Sequence, residues 1–188
     1  MTVLDRAVAY AAEKHSGQKR KMSGVPYILH PMEVASIIGT MTNDVDLMAA
    51  AVLHDTIEDC GVDPLELTEL FGKHVSGLVQ ADSEDRTSPL SEEASWMERK
   101  SDSLLMLQMA SIEGKMMWLA DKLANMRSFA REHRREGDAV WSHTHQPDPK
   151  VQEWYYRTVA EYTTELSDTD AYIEYCGLLD KVFGKEEK

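Results

Sequence analysis

Residues 52–61, VLHDTIEDCG, place an imidazole and three carboxylates directly behind the apolar run LMAAAVL. Crowded carboxylates repel one another. The segment is therefore either a solvated helix end or the wall of a site that holds positive charge. Read as part of one helix, at about 100° per residue, His54, Asp55, Glu58 and Asp59 fall at roughly 0°, 100°, 40° and 140°, on a single arc. His54 and Asp55 then converge only on a point just off the helix, where a divalent cation accepts an imidazole nitrogen and a carboxylate oxygen together. Such an ion becomes the largest local charge and relieves the crowding. Glu58 and Asp59, one turn on, would face water at that ion.

Two ligands make a poor site, so others must come from elsewhere. His30 lies in PYILHP, at the entry to a helix, where the backbone is restricted by the proline that follows. Asp121 lies in WLADKLANMRS, and Asp121, Asn125 and Ser128 fall at roughly 0°, 40° and 340°, one polar stripe on an otherwise apolar helix. Polar groups facing a core need partners, and a metal with its ligand would supply them. Each residue also has a plainer reading: a surface His-Asp dipeptide, a helix-start histidine, a satisfied buried acid. Lys122, about 100° off the stripe, reads as a solvated surface residue.

The elements that must position these groups are helical almost throughout. Apolar spacing predicts helices over about 2–15, 31–41 with Pro31 at the first position, 45–59, 63–71 and 73–81. Asp63, Pro64 and Glu66 form the pattern of a capping box. Residues 82–95 read as a polar loop, followed by helices over about 96–112 and 114–134. A second loop, 136–149, carries His143 and His145, and Asp148-Pro149 opens a helix to about 166. A last helix covers about 169–183. No strand alternation or repeat is present, so the fold class is all-α. Trp141, Trp154, Tyr155 and Tyr156 read as packing for the C-terminal helices.

Composition limits the function. The chain has 188 residues, 43% hydrophobic and 28% charged, as in an ordinary globular protein. Its net charge is −13, with 33 acidic against 20 basic residues, which makes duplex nucleic acid a poor partner. A small phosphorylated ligand remains compatible, because local cations dominate a pocket within a screening length of about 10 Å. No run approaches the ~20 apolar residues of a membrane span. The N-terminus does not read as a signal peptide, and two cysteines, Cys60 and Cys176, point to a reducing, cytoplasmic setting.

The segments AAEKHSGQKRK, GVPYILHPMEVASII, AAAVLHDTIED, LFGKHVSGLV, ERK and LADKLANMRS occur in that order. Together they resemble the HD-domain metal-dependent phosphohydrolases, and more narrowly the hydrolase domain of the RelA/SpoT family and its small stand-alone alarmone hydrolases. The resemblance runs over about residues 3–130, with a weaker echo in DPKVQEWYYRTVAE. It implies an HD-domain helical bundle of roughly eight helices. One hydrolase domain over 1–188 is expected, with its core at about 3–134 and C-terminal helices at about 149–183.

The resemblance also implies one divalent ion, usually manganese, on His30, His54, Asp55 and Asp121. Glu58 and Asp59 fall on the pair implicated in activating the attacking water. Arg20 or Lys21, with Asn125 and Ser128, fall near the nucleotide. The implied reaction releases pyrophosphate from the 3′ position of guanosine tetra- or pentaphosphate, (p)ppGpp. An HD phosphatase or nucleotidase acting on another nucleotide, such as NADPH or a deoxynucleotide, is the alternative; a non-catalytic nucleotide-binding signalling module is a third reading, and a homo-oligomer is left open. Two departures bear on the substrate. Trp118 stands where many relatives carry lysine, and VQADSEDRTS replaces a Thr-Asp-Asp-Lys-like segment, with Arg86 as its cation.

Overall fold

Leu47, Ala49, Ala50, Ala51, Val52 and Leu53 are all buried, so the helix that carries them is covered on every side. This is α3 (Val45–Leu53), the centre of the fold. Its three consecutive alanines let neighbouring helices approach closely. Against it pack α1 (Val3–Lys14), α2 (Leu29–Met41) and α6 (Lys73–Asp82), the last paired with α5 (Pro64–Phe71). The computed structural model describes residues 1–83 and 94–185; the stretch 84–93, with Arg86, lies outside them.

The second half is organised by α8 (Ile112–Glu136), a 25-residue helix. Met117, Leu119, Ala120, Leu123, Ala124 and Met126 give it a buried face. It lies on α2, and α10 (Asp170–Phe183) runs along it. The remaining helices, α7 (Trp96–Gln108) and α9 (Pro149–Tyr162), pack on each other and on α8. Phe129 stacks on Trp141, which stacks in turn on Phe183, so the aromatic residues expected to pack do so. Trp154 is the exception, 40% exposed. Among the described residues the only extended pairing is an isolated bridge between Lys19 and Pro26. The all-α expectation is the fold found.

Several local expectations are corrected. The helix expected over 45–59 is broken: α3 stops at Leu53 and α4 (Thr56–Cys60) begins after a turn at His54 and Asp55. Side chains take the carbonyls that a continuous helix would use. His54 Nδ1 donates to the Ala51 carbonyl at 2.8 Å, and Thr56 Oγ1 donates to the Leu53 carbonyl at 2.7 Å. α4 ends at Gly61, whose φ of 66° suits glycine; the Val62 N–H returns to the Thr56 carbonyl at 3.2 Å.

Pro31 is the third residue of α2, not the first. That costs nothing, because the first four N–H groups of a helix have no partner within it. Asp63 does cap α5, accepting from the Leu65 N–H at 2.8 Å. Glu66 does not close the expected box; its carboxylate is taken by Tyr10 Oη at 2.6 Å and by Lys14 at 3.2 Å. The expected loop at 136–149 contains a 3-10 turn, Gly137–His143, and the helix expected to 166 stops at Tyr162 before a second such turn. Asp82, expected in a loop, is the last residue of α6.

Candidate metal centre and its cavity

The expected ligands come from three elements. His30 is the second residue of α2, His54 and Asp55 form the turn between α3 and α4, and Asp121 is near the middle of α8. The broken helix is what aims the middle pair. Asp55 Oδ2 lies 2.9 Å from His54 Nε2 and 3.8 Å from His30 Nε2. Asp121 Oδ1 lies 3.0 Å from His30 Nε2 and 3.9 Å from His54 Nε2. The two ring nitrogens and an Asp121 oxygen all lie within 4.8 Å of one another, Asp55 Oδ2 faces both rings, and His30, His54 and Asp121 are all under 10% exposed.

The chemistry of this donor set fits a divalent cation. With Nδ1 of His54 committed to the Ala51 carbonyl, Nε2 is left as a lone pair. That nitrogen is buried and has no hydrogen-bond partner, even though Asp55 Oδ2 is close. A lone pair against carboxylate oxygens is repulsive unless something positive lies between them. Without a metal, a proton serves: burial opposes charge on His54, but Asp55 and Asp121 outweigh it and push its pKa up to about 10.

Both acids are also held by neighbouring side chains. Tyr27 Oη donates to Asp55 Oδ2 at 2.5 Å. Lys122 Nζ donates to Asp121 Oδ2 at 2.5 Å, and Asn125 Nδ2 to Asp121 Oδ1 at 2.9 Å. Burial would raise the Asp121 carboxyl, but Lys122 and His30 hold it well below its usual range. Lys122 was expected at the surface. Instead it is half-buried, its side chain 15% exposed, its ammonium 4.9 Å from the Trp118 ring centre and 6.0 Å from that of Tyr155. A long flexible stem brings the charge back over the aromatic faces, which residue angles alone do not reveal.

The cluster opens into a cavity of about 630 Å³, within the roughly 300–1,000 Å³ of small-molecule sites. Glu58 and Asp59 on α4 line it beside Asp55, as do Asn125 and Ser128 on α8 and Arg20 and Lys21 on the loop after α1. Arg20 Nη2 donates to Asn125 Oδ1 at 2.8 Å and its guanidinium lies 5.7 Å from the Tyr27 ring centre. Lys21 Nζ meets His145 Nε2 at 2.6 Å, so the basic loop touches the segment after the 3-10 turn. Ser128 Oγ accepts from Arg131. His143, whose ring meets Glu136, lines the same cavity.

Among the described residues, seven lysines and arginines line this space: Lys19, Arg20, Lys21, Arg99, Lys100, Lys122 and Arg131. Six carboxylates line it as well, Asp55, Glu58, Asp59, Asp82, Asp121 and Glu132, so an acidic chain gathers enough cations here to meet phosphates beside its acids. Burial pushes the Asp82 carboxyl up to about 7. Sequence reasoning assigned no role to Asp82, Tyr27, Arg99 or Lys100; ERK carried the only signal for the last two. Cys60, without an assigned neighbour in sequence, sits with its sulfur 3.4 Å from Nδ1 of buried His15, which also meets Gln18.

Comparison with known proteins sharpens this picture. A model of the HD domain matches residues 7–146. The chain is 37% identical over 176 residues to guanosine-3′,5′-bis(diphosphate) 3′-pyrophosphohydrolase MESH1 of Danio rerio, covering 92% of this chain and 88% of that protein. It is 36% identical to the enzyme of the same name from Xenopus tropicalis, covering 94% and 90%. A GTP pyrophosphokinase of Myxococcus xanthus is 37% identical over 134 residues, 69% of this chain but 17% of that longer protein. Among solved structures, a metazoan ortholog of SpoT that hydrolyzes ppGpp superposes with a TM-score of 0.77 at 23% identity over 98% of both chains, a likeness of fold. The protein lmo0812 from Listeria monocytogenes EGD-e gives 0.73 at 28% identity, over 83% of this chain and 99% of that one.

Proposed function

This chain belongs to the HD-domain family, and we propose that it is a metal-dependent guanosine-3′,5′-bis(diphosphate) 3′-pyrophosphohydrolase. The observation that carries the reading is the meeting of His30, His54 and Asp121, with Asp55 facing both rings, beside a cavity lined, among the described residues, by seven lysines and arginines. Identity at the level of more than a third over nine tenths of the Danio rerio enzyme supports the substrate.

His30, His54, Asp55 and Asp121 would hold one divalent ion, for which manganese suits the mixed imidazole and carboxylate set. When bound, such an ion polarises a phosphoryl oxygen and acidifies water. The chain's own residues supply the rest. In the reaction a water oxygen bonds to the phosphorus attached to ribose O3′, and the P–O3′ bond breaks. The water proton goes to the carboxylate of Glu58 or Asp59 and passes from there, by way of solvent, to O3′, which leaves as a hydroxyl. Pyrophosphate and GDP or GTP result. Arg20 and Lys21 offset the phosphate charge, while Asn125 and Ser128 offer polar contacts along α8. Packing of α9 and α10 on α8 supports reading 1–188 as one hydrolase domain. No helix among the described residues is long and apolar enough to cross a membrane. Two free cysteines support a cytoplasmic setting.

Incubation with Mn²⁺ and guanosine tetraphosphate tests this directly. Stoichiometric release of GDP and pyrophosphate is expected. Absence of turnover by protein with metal bound would sink the substrate assignment, and a parallel panel of NADPH and deoxynucleotides would identify the competing one.

A further inference from the structure

Tyr27 closes the basic loop, and its position there is fixed by the backbone. Its N–H donates to the Gln18 carbonyl at 2.9 Å, the Arg20 N–H donates to the Val25 carbonyl at 2.9 Å, and Lys19 pairs with Pro26. The ring is held from both sides. His15 lies tilted against it at 4.9 Å between ring centres, and His30 meets it edge-on at 5.8 Å. His15 is itself buried and braced by Gln18 through Nδ1. A phenol held this way has little freedom to choose a hydrogen-bond partner.

The partner it has is informative. Tyr27 Oη donates to Asp55 Oδ2, and Oδ2 is the oxygen that faces Nε2 of His54 at 2.9 Å and of His30 at 3.8 Å. The hydroxyl therefore grips the inward-facing oxygen, not the outer one. Asp55 stands at the N-cap of α4, yet its side chain makes no capping hydrogen bond to the helix. The Tyr27 hydroxyl holds this carboxylate, and the same ring carries the Arg20 guanidinium at 5.7 Å.

We propose that Tyr27 is a positioning residue for the metal centre: its hydroxyl fixes the inward-facing oxygen of Asp55, and its ring ties that oxygen to the substrate-side loop through Arg20. The proposal rests on the ligand assignment of the preceding section. A donor to a carboxylate that holds a metal sets its orientation, and loss of such outer-shell partners typically weakens metal affinity about 10–100-fold.

The test is the Mn²⁺ dissociation constant of Tyr27→Phe, measured by electron paramagnetic resonance of free Mn²⁺ without any nucleotide. Phenylalanine keeps the ring and its contacts with His15 and His30 and removes only the hydroxyl. Mn²⁺ binding should weaken at least tenfold, while kcat at saturating Mn²⁺ returns to within a few-fold of the parent and KM stays unchanged. Arg20→Ala, which leaves the hydroxyl in place, should raise KM and leave the Mn²⁺ constant within about twofold. Parent-like Mn²⁺ affinity in Tyr27→Phe would overturn the proposal. So would an equal loss of Mn²⁺ affinity in Arg20→Ala, since general loosening of the loop would then explain both. Because the readout is metal binding, a wrong substrate assignment would leave it standing; absence of Mn²⁺ binding by the parent would remove the ligand assignment and this proposal together.

Discussion

Lys122 Nζ and Asp121 Oδ2, on adjacent residues of one helix, lie 2.5 Å apart with both side chains at most 15% exposed. Neighbours in a helix ordinarily point about 100° apart. Here the lysine stem folds back, so that one carboxylate oxygen faces an ammonium while the other faces His30.

Removing the ammonium strands a buried carboxylate. Lys122→Met should destabilise the metal-free protein by about 3–5 kcal/mol, the usual cost of breaking a buried pair from one side. Urea denaturation of both proteins measures it, and metal should restore part of the loss. Equal stability would show that Asp121 does not lean on Lys122.

Asp55→Ala and His54→Ala each delete a donor from the central cluster. Elemental analysis should find each variant with far less metal than the parent, and hydrolysis should fall with it. Chelation of the parent should abolish activity reversibly, with recovery on adding Mn²⁺.

Glu58→Gln separates holding the ion from handling the proton. Metal content should match the parent, while kcat drops about 10²–10⁴-fold, the usual contribution of general base catalysis. Full activity in this variant would remove Glu58 from the proton path and leave Asp59.

Asp82 predicts a pH dependence of stability. Burial pushes the folded carboxyl up to about 7 from the unfolded 3.8, so between those values the folded state binds more protons than the unfolded chain. Stability therefore falls as pH rises through that window. Asp82→Asn should melt higher than the parent at pH 8 and alongside it at pH 4. Identical melting at both would leave the strained carboxylate without support.

Much of the candidate site is legible in the sequence, and the gaps have physical causes. His30, His54, Asp55 and Asp121 stand out because ionisable residues inside apolar runs need partners, whatever the local geometry. The break at His54 escapes notice because the apolar period runs smoothly into it; only the His54 and Thr56 side-chain bonds to carbonyls reveal the stop. Lys122 escapes because residue angles place a Cα, not the end of a four-carbon stem. Asp82 escapes because a polar stretch beginning at a helix end reads as loop from its first residue.

The length of α8 also acts as a ruler. Asp121, Asn125, Ser128 and Glu132 sit on its cavity side at steps of three or four residues, spanning about 16 Å at 1.5 Å per residue. One end of this graduated edge lies at Asp121 and the other at Glu132, in the cavity that His143 and His145 also line. An extended ligand held at the Asp121 end would therefore meet polar side chains at a regular interval along one helix edge, so that ligand length is read out as the number of marks engaged.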